Sequence, residues 1–479
     1  MLQPILICGK RVTLMTSDFS TSDGLGRRDF LRAGVFGGAV ASLAQMLRAE
    51  DAAGVRSSSK AVIFVHLDGG PPQLDMIDLK PHAPVEIRGE FLPIATQIPG
   101  VQICELMPKL ASIANRVAFV RSLVGSAGAH DAFQCQSGFV AKELQSLGGR
   151  PALGSVVSKL HGSTSDAAPS FVDLMQGRAL VRNSARPGFL GPAYQPFRPD
   201  ISQLFARELE PGMKNELARL GTNHSVSLKL DGAIDVDRLS DRITLLAQFD
   251  LFRREVDAAG MMTAMDRFTQ QAVGILTSGR FADALDFSKE DSRVLDHYTL
   301  RETSGQPTFT SEGPESTRKF LLARRLIDAG VRCVSLSISD FDTHSDNFPR
   351  LRHLLPIVDH GLSALITDLE ERGQLDDVTI VVWGEFGRTP RVDPKSGGRH
   401  HWPQVGPAIL AGGGLRGGVV LGETDRTAST AIARPVHYKD VFATIYHNLG
   451  IDPHRTALTD PQGRPQHLLD EGQPIRELI

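Results

Sequence analysis

The chain has 479 residues, 41% hydrophobic and 22% charged, with 52 basic against 55 acidic side chains for a net charge of −3. That length can bury one large α/β domain or two smaller ones, and the near-neutral balance excludes bulk attraction to nucleic acid or to anionic membranes. The four cysteines, Cys8, Cys104, Cys135 and Cys333, form no C-x-x-C pair and no zinc-ribbon spacing, so no disulfide framework is expected and each reads as a small buried hydrophobe.

Residues 1–57 read as an address rather than as part of the fold. Arg27 and Arg28 are followed by Phe30, Leu31 and a modestly apolar, glycine- and alanine-rich stretch to Leu47. A charged region, a short apolar region and a small-residue exit come in the order that a secretory signal requires. The paired arginines resemble a twin-arginine (Tat) leader, although Gly26 stands where Ser or Thr is usual. Such a leader implies the Tat export machinery as a partner, a periplasmic or secreted destination, and a cofactor inserted before export. No apolar run after residue 60 is long enough to span a bilayer.

The body begins with Ala61–Leu67, a near-continuous apolar run that predicts a strand buried on both faces. It stops at Asp68-Gly69-Gly70-Pro71-Pro72, a hard turn. Residues 116–123 predict a second buried strand. Residues 191–313 lack such runs and are polar and helical in pattern, so they read as an inserted helical segment, a cap over the site. The pattern over residues 318–330 predicts a helix closed by Gly330, and residues 331–338 a third strand. Leu354, Val358, Leu362, Leu365 and Leu369 recur at spacings of three and four and mark one face of a helix ending near Gly373. Val378–Trp383 predicts a fourth strand, residues 406–414 a fifth, and residues 417–422 a short ribbon. Residues 456–479 read as an irregular surface tail. Strands alternating with amphipathic helices indicate βαβ units, a mostly parallel sheet and helices on both faces.

Function in open α/β sheets gathers at the carboxyl ends of the strands. The first strand ends in Asp68. The third runs into "SDFDTHSDN", with Asp340, Asp342, His344 and Asp346. The fourth ends in Glu385, followed by Arg388, His400 and His401. Carboxylates and imidazoles converging from separate strand ends call for a divalent cation. Mixed carboxylate and imidazole ligands suit Zn²⁺ or Mn²⁺, and the histidines disfavour Ca²⁺. The expectation is that carboxylate and imidazole atoms from these strand ends lie within about 5 Å of one common point.

The ordered motifs "LDGGPPQLDMIDLKP", "FDTHSDNF", "GEFGRTP" and "GGRHHWP" resemble those of the bacterial family called domain of unknown function 1501. That family is similar in fold to the alkaline phosphatase and sulfatase superfamily. The resemblance implies an α/β/α sandwich over residues 58–455 and matches Asp68, Asp342, His344, Glu385 and His401 to metal-ligand positions. Phe386 stands where the superfamily often has a ligating histidine, Pro72 where relatives commonly have Ser, and His400 where they often have Asp. No C-x-P-x-R or S-x-P-x-R stretch is present, so the formylglycine nucleophile of ordinary sulfatases is absent. The superfamily nucleophile would follow the second strand, where Ser122, Ser126 and His130 are the candidates.

Two functional readings follow. One is a metal-dependent hydrolase of phosphate or sulfate esters acting on a small or polymeric anionic ester. In it Arg388 clamps the oxyanion and His130 or His400 protonates the leaving group. The other is a non-catalytic protein of the same fold that holds a polyanionic glycan or a protein partner.

Overall fold

The computed structural model of the protein describes residues 60–144, 148–162, 166, 168–175, 185–199, 201, 204–205, 279–301 and 310–479. The twin-arginine stretch and most of the expected insert, including residues 206–278 and 302–309, lie outside the described residues.

The buried runs become the strands of one sheet. They are β1 (Ala61–Leu67), β2 (Val117–Val124), β3 (Phe171–Leu174), β4 (Cys333–Ile338), β5 (Val378–Trp383), β6 (Gly406–Gly412), β7 (Val419–Leu421) and β8 (Val436–His437). Their spatial order is β7-β2-β6-β5-β1-β4-β3, with β8 also paired to β2. β6 runs antiparallel to β2 and β5, and the remaining pairings are parallel. The sheet is therefore mostly parallel. A run buried on both faces does not encode its direction, so the reversal of β6 was not legible beforehand.

Alternation along β1 divides the interior in two. Ile63, Val65 and Leu67 enter one core with α2 (Arg318–Asp328) and α3 (Asn347–Glu371). Val62 and Phe64 enter the other with α1 (Leu153–His161) and α4 (Tyr438–Asn448). Helices thus cover both faces, as the pattern required. In α3 the predicted stripe Leu354, Val358, Leu362, Leu365 and Leu369 is 0% exposed. Each such side chain contributes about 1.5–3 kcal/mol on burial, so packing holds this 25-residue helix even with Pro356 inside it. Gly330 (φ 105°) follows α2 and Gly373 (φ 68°) follows α3.

Two elements depart from expectation. Phe171–Leu174 is a fully buried edge strand that is too short to register as a run. Residues 456–479 are not an irregular surface tail. They contain a hairpin pairing Ala457–Thr459 with Pro465–His467, and Leu469, Ile475 and Leu478 are buried in the core beside α4. Their apolar residues are too sparse to show a period, yet they close that core. Of the expected insert, the described parts include helices Arg280–Leu285 and Ser292–His297 and a single-residue bridge from Phe197 to Val172 at the sheet edge.

Candidate metal centre

Register explains why ligand-type residues meet. β1 pairs in parallel with β5 so that His66 lies opposite Trp383, and with β4 so that Leu67 lies opposite Ile338. Asp68 therefore leaves β1 level with Glu385 leaving β5, and its N–H still donates to Ile338 O at 2.9 Å. The turn after Asp68 needs its glycines. Gly69 has φ +110°, and a Cβ there would lie 2.2 Å from the backbone N of Asp342. Only glycine lets the two strand ends come this close. Gly398 plays the same part for the later loop, where a Cβ would lie 2.0 Å from His344 O. That contact brings His400 and His401 up to His344.

The outer part of the site gathers around Asp342. Asp342 Oδ1 is 3.0 Å from His344 Nε2 and 3.4 Å from His401 Nε2. The two imidazole nitrogens are 3.0 Å apart. Asp342 Oδ2 is 3.3 Å from His130 Nε2, and His130 Nδ1 is 2.8 Å from Glu385 Oε1. His400 stands one step outward, with Nδ1 2.8 Å from His344 Nδ1 and Nε2 3.2 Å from Asp393 Oδ2. The inner part is His66, Asp68 and Glu385, which offer ligand atoms within 4.8 Å of one another and are all buried. His130, Asp342 and His401 make a corresponding half-buried group.

The five expected ligands lie in two adjoining groups. Among the described residues they fall into two groups, Asp68 and Glu385 inward, and Asp342, His344 and His401 outward, with His130 between them. Asp342 lies four residues past the end of β4, which carries it outward, whereas Asp68 and Glu385 lie within two residues of their strand ends.

Two expected catalytic residues are buried. Arg388 is packed between the glycine turn and Asp342. Its guanidinium is 0% exposed. Nε donates to Gly70 O at 3.1 Å, Nη1 to Arg399 O at 3.0 Å, and Nη2 to Gly69 O and, at 2.6 Å, to Asp342 Oδ1. The glycine turn leaves carbonyls bare, and the planar fork satisfies them. Ser122 is buried and donates to Arg434 O at 2.7 Å, within the sheet edge next to Gly422. Ser126 donates to Glu385 O at 2.5 Å and accepts from Gly128 N at 3.0 Å, which ties the end of β2 to the end of β5.

The electrostatics follow from these contacts. Burial alone would lower the His130 pKa, but hydrogen bonds to Asp342 and Glu385 outweigh it and raise it to about 9. Burial would raise Glu385, yet His130 and His66 hold it well below the usual carboxylate range. Burial would likewise raise Asp342, and His130, His401 and Arg388 hold it far below. His344 is lowered, first by burial and further by the Arg388 charge, against the opposing pull of Asp342.

Sequence reasoning missed two parts of the site. His66 lies inside the apolar run of β1, and its signal was its i, i+2 relation to Asp68, which puts both on one strand face. Asp75 and Arg399 form a buried bidentate pair, Nε to Oδ2 at 2.8 Å and Nη2 to Oδ1 at 3.0 Å. Asn347 Nδ2 adds a bond to Asp75 Oδ2 at 2.9 Å. This pair fastens the loop carrying His400 and His401 to the segment after β1, and no local pattern announces it.

No curated protein matches the chain. Solved structures similar to it include the PsFucS1 sulfatase from a Pseudoalteromonas species, at 12% identity and TM-score 0.36, covering 85% of this chain and 71% of that one. The phosphonate monoester hydrolase of Silicibacter pomeroyi is similar at 13% identity and TM-score 0.31, with 87% and 76% covered. The lipoteichoic acid synthase LtaP of Listeria monocytogenes is similar at 10% identity and TM-score 0.31, with 86% and 88% covered. These superpositions are loose, and the chemistry of the site is carried by this chain's own side chains. Residues 59–479 match the family described as protein of unknown function, DUF1501, and the chain belongs to that family.

Proposed function

We propose that the protein is an exported, metal-dependent hydrolase of phosphate or sulfate esters. The observation that carries this is the triangle of Asp342 Oδ1, His344 Nε2 and His401 Nε2, with sides of 3.0, 3.0 and 3.4 Å. Ligands about 2.0–2.2 Å from a tetrahedral Zn²⁺ lie roughly 3.3–3.6 Å from one another, so the three atoms need only a small expansion to hold one. One carboxylate and two imidazoles suit Zn²⁺ or Mn²⁺. The chemistry that a divalent cation supplies in such a set is Lewis-acid polarisation of an ester oxygen and activation of water.

The chain's own residues supply the rest. His130 is the general acid, its Nδ1 held by Glu385 and its Nε2 directed toward Asp342 at the outer group. Arg388 positions Asp342 from behind rather than touching substrate. His400 lies at the exposed rim, where an anionic substrate enters. Residues 1–57 act as the Tat leader, and among the described residues no helix is long and apolar enough to cross a membrane.

The test is turnover by purified, Zn²⁺- or Mn²⁺-loaded protein on aryl phosphate, phosphodiester and aryl sulfate esters, beside the His401→Ala and His130→Gln variants. Metal-dependent turnover that falls at least about 100-fold in both variants is expected. A metal-loaded protein with no turnover on any ester would sink the hydrolase reading. A second reading, a non-catalytic binder of a polyanionic glycan or a protein partner, draws on one observation. Neither Ser122 nor Ser126 is presented as a nucleophile, since each hydroxyl donates to a backbone carbonyl.

A further inference from the structure

At the β3 edge of the sheet, beside the core that α1 covers, two segments meet around a recess. They are residues 148–150 and 185–188. Phe189 N donates to Gly149 O at 2.9 Å and Ala152 N to Arg186 O at 2.8 Å, which pins the walls together. Gly188 has φ +53°, and a Cβ there would lie 2.4 Å from Gly149 O, so only glycine lets the walls meet. The recess holds about 360 Å³, within the range of small-ligand sites, roughly 300–1,000 Å³. Of its nine lining residues three are arginines, Arg150, Arg186 and Arg198, and none is acidic. The chain as a whole has a net charge of −3, so this grouping is a local feature. Three guanidiniums at one recess repel one another, and an oxyanion between them relieves that repulsion. Two of them are fixed before any ligand arrives. Arg198 Nε donates to Asp173 Oδ2 on β3 at 2.9 Å and Nη2 to Ala185 O at 2.8 Å. Arg150 lies 4.6 Å over the Phe139 ring, and its Nη1 donates to His467 O at 3.0 Å. Arg186 and Gln195 are exposed on the same lining.

Strand register places this recess away from the metal centre. Asp173 lies opposite Ser335, and Ser335 lies opposite Phe64, four residues before Asp68. At about 4.8 Å per strand and 3.3 Å per residue, the anchor of Arg198 is roughly 15 Å from Asp68. One small ester cannot touch both. We infer that the recess is an anion subsite for a polymeric substrate, where Arg150, Arg186 and Arg198 hold one sulfate or phosphate group while another ester of the same polymer lies at the metal centre. Guanidinium forks match the paired oxygens of such groups, and the Gln195 amide adds a neutral donor. The part played in substrate choice rests on the hydrolase reading, whereas the capacity to hold an oxyanion does not.

The experiment is calorimetric titration of the full chain with inorganic sulfate, inorganic phosphate, polyphosphate and a short sulfated oligosaccharide. Wild type is compared with Gln195→Glu, with Arg150→Gln combined with Arg186→Gln, and with His401→Ala as the control at the metal centre. One of the two polymers should bind more tightly than its inorganic anion. That binding should weaken at least about tenfold in Gln195→Glu and in the double variant, and it should weaken with added salt. In turnover, the same variants should raise KM for the polymeric ester and leave an aryl monoester unchanged. Polymer binding that is unchanged in both variants overturns the subsite. Inorganic anion that binds as tightly as the polymer, and is lost in the same variants, overturns the polymeric assignment. Binding that falls in the variants of a protein with no turnover on any ester upholds the anion site and removes the hydrolase reading alone. If the double variant does not fold, Gln195→Glu decides, because that residue is exposed and the change only sets a carboxylate against the three guanidiniums.

Discussion

Arg388 Nη2 reaches Asp342 Oδ1 at 2.6 Å from a wholly buried position, while the same guanidinium holds the carbonyls of Gly69 and Gly70. One side chain thereby fastens the turn after β1 to the loop after β4. Arg388→Met should therefore cost about 3–5 kcal/mol of stability, because it strips a buried carboxylate and several carbonyls of their partner. Arg388→Lys should recover little, since an ammonium cannot reproduce the fork. Chemical denaturation of both variants is the measurement. A substrate clamp would behave differently, with unchanged stability and a raised KM.

Gly69→Ala should be among the most damaging single-methyl changes in the chain. The added Cβ would lie 2.2 Å from Asp342 N, and the residue would have to hold φ +110°. Backbone lies on the far side of that contact, so relief requires the two strand ends to part. A loss of more than about 2 kcal/mol is expected, together with loss of metal from the outer group. Unchanged unfolding and metal content would contradict the close approach.

The Asp75–Arg399 pair should show strong coupling. Both side chains are 0% exposed, so removing either partner leaves a buried charge, at a cost of about 3–5 kcal/mol. Asp75→Leu and Arg399→Met together should cost well under the sum of the two single changes. Additive losses in a double-mutant cycle would show that the pair does not act as a unit.

His360 on α3 gives a pH dependence away from the metal centre. Burial, with the nearby Lys109 charge, lowers its pKa from 6.5 to about 4, and Nε2 lies 3.0 Å from His297 O. The folded state then binds fewer protons than the unfolded state between about pH 4 and 6.5, so this group makes stability rise with pH across that window. Its neighbour Asp359, raised by burial to about 6, works in the opposite sense between about 4 and 6. Removing the histidine leaves only the second effect. His360→Gln should therefore gain on wild type as pH falls from 6.5 to 4, by up to about 3 kcal/mol. Thermal melts at closely spaced pH values read this directly, and a parallel pair of curves would refute it.

The N-terminal reading is tested in cells. Arg27→Lys with Arg28→Lys should hold the protein in the cytoplasm, because the arginine pair is read by a receptor rather than by hydrophobicity. Fractionation showing normal export of the double variant would exclude a twin-arginine route.

What the sequence determined by itself was the layered architecture and the level at which chemistry sits. β1 and β5 were legible to the residue because their apolar runs stop at a turn, and an abrupt change from apolar to acidic after a buried strand is a local signal. Asp68, Asp342 and Glu385 were found on that signal, and the α3 stripe on its 3.6-residue period. Direction and partnership were not local. The Gly69 N–H meets Glu385 Oε1 at 3.0 Å across 316 residues of sequence, and only strand register sets that meeting. The same holds for Arg388, whose residue type suits an oxyanion clamp and a buried fork equally well. In the folded protein the fork is turned to the bare carbonyls of the glycine turn. His66 looked like part of a core strand until its neighbours on β5 placed Glu385 above it, and Asp342 stands outward of Asp68 and Glu385 because it lies farther past its strand than they do. Side-chain type is written in the chain, but what each side chain faces depends on register and packing between distant segments.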